Sequence, residues 1–361
     1  MNKKVVLGMS GGVDSSVAAL LLKKKGYEVH GYFMNCGVRG KSKFWPSGID
    51  WKEDEKILRE ICDKLKIDLH MADCEIGYEK NIIEPMVEDY KNGLTPNPDI
   101  LCNTIGKFPN LIKIADKIEA DFIATGHYAR VKNGKLFRGK DKEKDQSYFL
   151  ASLDENILRR CIFPIGDLIK FKVRDIARKN KFPNYNKRSS RGICYLGKIN
   201  FKEFLKSRIK ESMGSVIDSK GEIIGGHHGQ MFFTIGERIG ESKGIELNKL
   251  GRKKYSGKKL FIAEKMKGNV LVAAEKGDKI LKTKKVWIKE LHLIDKNEEV
   301  DGKMFRGRIR HLGELLGGEL EKNNGRWTFV FDKGVEGVAP GQWIVLHKGE
   351  RVVGGGEMIL G

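Results

Sequence analysis

The chain has 361 residues, with 68 Lys and Arg against 48 Asp and Glu, a formal charge of +20. That length exceeds one ordinary domain and predicts two or three, each burying its own core. The cationic excess points to a polyanion such as nucleic acid or to a lysine-rich genome, and charge alone leaves both open.

The first element is an apolar run, Val5-Val6-Leu7-Gly8-Met9, which reads as a short buried strand. It breaks into Ser10-Gly11-Gly12-Val13-Asp14-Ser15-Ser16 just before a helical spacing of Val17, Leu20, Leu21 and Leu22. A strand, a glycine turn and a helix start in succession turn backbone N–H groups outward. They let phosphate approach Gly11 and Gly12 without a Cβ in the way and add the partial positive charge of a helix N-terminus. Such a turn suits a polyphosphate. It is not a GxxxxGK[ST] loop, because no Lys lies between residues 10 and 22, and it lacks the GxGxxG pattern with its acidic ribose ligand. SGGVDS instead resembles the loop of the ATP pyrophosphatase superfamily, which implies ATP held by its pyrophosphate and AMP transferred to an acceptor oxygen. Asp14 has two open readings, a helix cap or a carboxylate that orients Mg2+ on the phosphates. The leading Met1-Asn2-Lys3-Lys4 runs straight into this strand, and no apolar run approaches the roughly 20 residues of a membrane span, so a cytoplasmic chain with no membrane association is expected.

Residues 28–35 (EVHGYFMN) read as a second strand ending beside the first. Met34 is there either an adenine contact or an ordinary strand-end methionine. Residues 51–65 have helical spacing at Ile57, Leu58, Ile61, Cys62 and Leu65, residues 67–72 are strand-like, and 82–90 helical. A helix near residues 107–118 and a strand at 122–125 continue the alternation, which predicts a parallel sheet. Gly126 and His127 at that strand end point into the same crevice.

The six cysteines, at 36, 62, 74, 102, 161 and 194, contain no CxxC pair. Neither zinc ligation nor a disulfide framework is expected, and each cysteine is by default a small buried hydrophobe. Two have unusual surroundings. In TPNPDILCN (95–103) two prolines predict a stiff extended loop presenting Asn97, Asp99 and Cys102, read either as a reactive site or as a tight turn with a buried cysteine. In KRSSRGICYLG (187–197) the cations Lys187, Arg188 and Arg191 favour the thiolate of Cys194. From about residue 201 a helix is followed by short apolar runs with glycine turns at 215–224, 229–235, 258–264 and 269–274. Further runs at 287–294, 304–311, 326–331 and 343–347 predict a second antiparallel unit, a barrel. The expected domains are 1–205, 206–282 and 283–361.

SGGVDS, PNPDILCN, TGHYA (125–129), KDQSYFL (144–150), GICYLG (192–197), TIGER (234–238), PGQ (340–342) and GGG (354–356) together resemble, in order, the motifs of tRNA-specific 2-thiouridylases. The resemblance spans nearly the whole chain. It implies an α/β N-terminal domain of the adenine nucleotide alpha hydrolase kind with a parallel sheet, then two smaller β-rich domains, the last a β-barrel. It further implies ATP, with Mg2+, at Gly8, Met9, Ser10, Gly11, Gly12, Val13, Asp14, Ser15, Met34 and Gly126. Target-base contacts fall at Asn97, Pro98 and Asp99, and tRNA contacts at His127, Lys144, Asp145, Gln146, Arg310, His311 and Gln342. Cys194 is implied as persulfide carrier, Cys102 as its partner thiol and disulfide mate, and Asp99 as an acid/base group. A sulfur-relay protein or cysteine desulfurase is implied as donor. The chain departs from the family at Thr104-Ile105-Gly106, where a basic residue, an acidic one and Ile are usual, and at Ser189-Ser190-Arg191 in place of Asp-Ser-Thr. The implied reaction is 2-thiolation of the wobble uridine through an adenylated C2 oxygen. Two other readings are a synthetase of the same superfamily acting on a small acid, which leaves both cysteine segments unexplained, and a basic RNA-binding protein without catalysis.

Overall fold

The structure is a computed structural model that describes residues 2–36, 51–187 and 200–360. Its N-terminal layer is a parallel sheet of β1 (Lys4–Met9), β2 (Glu28–Asn35), β3 (Asp68–Asp73), β4 (Phe122–Thr125) and β7 (Cys161–Ile162), in the order β3-β2-β1-β4-β7. The chain moves outward from β1 to β3 and then returns to the other side of β1 with β4. The strand order therefore reverses at β1, and the crevice of such a sheet opens there, outside the carboxyl ends of β1 and β4.

Side chains of β1 alternate between two cores. Val5, Leu7 and Met9 pack with the helices α1 (Val13–Lys24) and α2 (Trp51–Leu65), whereas Val6 packs on the opposite face with Phe108 and Leu111 of the helix Phe108–Lys117. Burial on both faces explains why this strand reads as an uninterrupted apolar run.

Residues 95–103 differ from the expected extended loop. Pro98–Leu101 is helical, its first turn capped by the Asn97 side chain, which accepts from the Ile100 N–H at 3.3 Å. The helical run continues through a π turn, Cys102–Lys107, into Phe108–Lys117. Pro98 starts the helix rather than breaking it, because the N–H it lacks has no acceptor at a first helical position.

The central unit is a five-stranded sheet of β8 (Gly214–Asp218), β9 (Ile223–His227), β10 (Ile245–Leu247), β11 (Leu260–Met266) and β12 (Val270–Glu275), ordered β10-β9-β8-β12-β11. The apolar run at 229–235 is not a strand; it holds a 3-10 turn at Gln230–Phe232. In the C-terminal unit β13 (Lys282–Ile288), β15 (Lys303–Arg308), β16 (Leu316–Asn323), β17 (Arg326–Glu336), β18 (Trp343–Lys348) and β19 (Arg351–Ile359) close into a barrel where Trp287 pairs with Ile359 and Ile288 with Met358. The short β14 (His292–Leu293) pairs with β19. A hairpin of the N-terminal region, β5 (Ala129–Lys132) and β6 (Lys135–Arg138), extends the barrel sheet through Arg351–Phe137 and Val352–Leu136 pairs. The N-terminal region thus contributes two strands to the barrel's sheet. Among the described residues no helix is long and apolar enough to cross a membrane.

Where the central unit meets the first, the Lys265 ammonium donates to the Gly93 carbonyl at 2.8 Å, and burial pushes its pKa down to about 8 from 10.5. The unfolded chain therefore binds more protons between about pH 8 and 10.5, so this group makes stability rise with pH in that window, while below pH 8 its penalty is constant. Lys265→Met is expected to reduce that rise, which urea titrations at pH 7.5 and pH 9.5 measure.

Candidate functional site

Gly11 takes φ +67°, and a Cβ there would lie 2.7 Å from the Asp54 carbonyl oxygen. Gly12 is the N-cap of α1 without a side-chain cap bond, so the first-turn N–H groups have neither an intrahelical acceptor nor a capping side chain. The turn is braced from behind. The Ser15 and Ser16 hydroxyls donate to the Gly12 carbonyl at 3.0 and 2.9 Å, Ser10 N–H donates to Ser15 Oγ at 3.3 Å, and the buried Asn184 amide donates to the Gly11 carbonyl and to Ser16 Oγ, both at 2.9 Å. Gly126 lets the end of β4 press against α1, since a Cβ there would sit 2.8 Å from the Ser15 nitrogen. Gly8, Met9 and Val13 flank the turn, with the Met9 and Val13 side chains packed into the core beneath it. Met34 lies at the end of β2, its side chain buried beside Tyr32 in the core.

Asp14 is not the cap of α1. Its carboxylate accepts from Lys170 Nζ at 2.7 Å on both oxygens and from Tyr128 Oη at 2.8 Å. Burial, reinforced by the Asp14 charge, holds the Tyr128 phenol well above its usual pKa, so it stays a donor. No group of three or more His, Cys, Asp or Glu residues among those described is arranged to hold a metal ion. The turn fits a triphosphate; a Mg2+ ion fits it only as the counterion a nucleotide carries in, because the described residues offer no carboxylate cage.

A second cluster forms where the barrel meets the N-terminal layer. Gln342 donates to the Thr95 and Pro96 carbonyls at 2.8 and 3.1 Å and accepts from Asn97 Nδ2 at 3.4 Å, so the barrel holds the residues just before the Pro98 helix. Asp145 is buried: its Oδ1 accepts from the Gly139 and Ser147 N–H groups at 3.0 and 3.1 Å, and its Oδ2 from Arg308 at 2.9 Å. Gln146 accepts from the Tyr128 N–H at 3.0 Å. His311 donates from Nε2 to the Asp145 carbonyl at 2.9 Å and lies on Phe149, ring centroids 4.3 Å apart. Burial lowers its pKa against the opposing influence of Asp145 and Asp99, which places the Asp99 charge within reach of the imidazole. Lys144 and Arg310 are exposed and Asp99 half-exposed. Beside Asp145 a recess of about 740 Å³ is lined by five cations, among them Arg130, Arg138 and Arg308, and by the carboxylates Glu314 and Glu350.

His127 is different. Its Nδ1 bonds Thr125 Oγ1 at 2.7 Å, its ring stacks on Phe108, and burial holds its pKa well below the ordinary value, so it is a neutral interior group. Cys102 is buried at the head of the π turn, and Thr104, one of the departures, bonds the Ile100 carbonyl at 2.8 Å and the Ser152 hydroxyl. Cys194, with Arg188 and Arg191, lies outside the described residues, and none of the described cysteines is disulfide-bonded. Sequence reasoning missed Lys170, Arg308 and Asn184, which belong to no motif; Tyr128 stood inside TGHYA without a role.

Three domain families match the chain in sequence: a tRNA methyl transferase HUP domain over residues 3–198, a tRNA methyl transferase PRC-barrel domain over 202–274 and an aminomethyltransferase beta-barrel domain over 283–358. The tRNA-specific 2-thiouridylase MnmA of Shewanella sediminis is 37% identical over 363 residues, 98% of this chain and 95% of its own. That of Shewanella piezotolerans is 37% identical over 364 residues, 99% and 96% of the two chains. A 4-thiouridine synthetase solved in complex with RNA and ATP is 17% identical, with a TM-score of 0.36 over 57% of this chain and 50% of its own, a likeness too slight to bear on function.

Removing the Asp14 carboxylate strands the Lys170 ammonium and the Tyr128 hydroxyl in a largely enclosed place. Asp14→Ala is expected to cost about 2 kcal/mol in urea unfolding, and adding Lys170→Met to recover part of it.

Proposed function

The chain belongs to the tRNA-specific 2-thiouridylase family, enzymes that transfer sulfur to tRNA, and on that premise we propose that it converts the wobble uridine, U34, to 2-thiouridine with ATP as activator. The observation that carries the reading is the convergence at the seam. Asn97, Asp99 and the Cys102 helix meet His311 and Gln342 of the barrel, beside the exposed cations Lys144 and Arg310. An extruded base requires a walled pocket, and a stem requires cations that follow phosphates.

The C2 oxygen of uracil is a poor leaving group, and adenylation removes that obstacle. The glycine turn binds the triphosphate by its N–H groups, AMP passes to the C2 oxygen, and pyrophosphate leaves. Mg2+, when bound with the nucleotide, neutralises phosphate charge. Asn97 and Asp99 hold the base edge, and Asp99 takes the uracil N3 proton as activation proceeds. Cys194 carries the persulfide received from a cysteine desulfurase or a relay protein. Its terminal sulfur bonds to C2, and the C2–O bond breaks with AMP as leaving group. Cys102 attacks Cys194 Sγ so that the persulfide S–S bond breaks and the sulfur stays on C2, a Cys102–Cys194 disulfide forms, and Asp99 returns the proton to N3. Cys102 is enclosed at rest, so this step opens the π turn that begins at that residue; such turns are locally weak and recur at functional sites.

With U34 tRNA, ATP and a persulfide donor, Cys102→Ser and Cys194→Ser are each expected to abolish 2-thiouridine, read by nucleoside mass spectrometry, while tRNA-dependent pyrophosphate release persists. Thiolation near the wild-type rate in either variant would remove that residue from the mechanism.

A further inference from the structure

Two cysteines that the reaction does not use stand side by side at the rim of the crevice. β2 and β3 run parallel in a register that ends with Asn35 opposite Asp73, and the Cys74 N–H then donates to the Asn35 carbonyl at 2.7 Å. That bond belongs to the Asn35–Asp73 pair, the last of the ladder, and leaves Cys36 and Cys74 as the next residues of two adjacent parallel strands. Adjacent parallel strands lie about 5 Å apart, so residues that follow directly on the last pair start within the Cα separation a disulfide spans. Cys36 and Cys74 both pack on the face that carries Tyr32 and Met34, and their side chains are hydrogen-bonded to each other. Tyr32 reports the same cluster: burial first, then both neighbouring sulfurs, push its phenol up to about 12.

We propose that Cys36 and Cys74 form a reversible intramolecular disulfide, a redox modification site at the carboxyl end of β2 and β3, with a peroxide as oxidant. The two thiols differ as such chemistry requires. Cys36 is buried, whereas Cys74 is partly exposed and its pKa is held below the usual value by the hydrogen bond from Cys36. The Cys74 thiolate attacks one peroxide oxygen, the O–O bond breaks, and a sulfenic acid and water result. Cys36 then attacks the Cys74 sulfur, the S–O bond breaks, and a second water leaves. Two thiols are oxidised by two electrons, one peroxide is reduced, and a dithiol restores the start. The bond ties the end of β2 to the N-cap of the helix Glu75–Tyr78.

The test is non-reducing peptide mapping of the full chain after hydrogen peroxide, in wild type, Cys36→Ser and Cys102→Ser. Expected is a peptide pair linked through Cys36 and Cys74 in wild type and in Cys102→Ser, absent from Cys36→Ser and released by dithiothreitol. Iodoacetamide labelling of Cys74 at pH 7.5 is expected to slow roughly threefold or more in Cys36→Ser. The proposal is overturned by Cys74 over-oxidised without the link, by Cys74 joined to Cys102 or Cys194 instead, or by both thiols remaining alkylatable after peroxide has consumed the others.

Discussion

The buried ion pair between Asp145 and Arg308 is the joint on which the assembled site depends. Both side chains are less than a tenth exposed, so each would be a stranded charge without the other. Asp145 is further held by two backbone N–H groups from its own loop, which leaves its second oxygen aimed at the barrel. Such a pair contributes little net stability against an apolar replacement, but it tolerates only one docking geometry. The shared sheet edge between β6 and β19 and the grip of Gln342 on Thr95 and Pro96 add two more attachments. Three fixings of different chemistry prevent the barrel from sliding over the N-terminal layer, and the seam between them is where the functional side chains collect.

The local half of this arrangement was legible in the sequence. Glu28–Asn35, Trp51–Leu65 and Phe122–Thr125 have the bounds their periodicity predicts, and the glycine turn needs only its own neighbours to take shape. The long-range half was not. Arg308 reaches Asp145 across 163 positions, Lys170 reaches Asp14 across 156 and Asn184 reaches Gly11 across 173, and no local pattern marks any of those residues. β19 was hidden for another reason. The last predicted run ends at residue 347, and Gly354-Gly355-Gly356 offers no side chains to mark a strand, yet in the barrel these positions are a strand whose neighbours leave no room for a Cβ; one at Gly355 would lie 2.3 Å from the Ile344 carbonyl oxygen. The two prolines before Cys102 misled because the same residue that ends a helix from inside begins one from its first position.

The site carries three carboxylates in a chain of +20, and the structure treats each differently. Asp14 stands in the first turn of α1, where an unpaired charge would repel a polyphosphate arriving at the same N–H groups. Two 2.7 Å bonds from Lys170 and one from Tyr128 cancel it, so the turn presents the positive end of the helix. Asp145 is neutralised by Arg308 and works as a strut. Asp99 is half-exposed on the seam, with its charge felt by His311 and its own carbonyl bonded to Asn103 at 2.9 Å. Burial separates the cations in the same way: Lys170 and Arg308 are each spent on a carboxylate inside, while Lys144 and Arg310 are exposed.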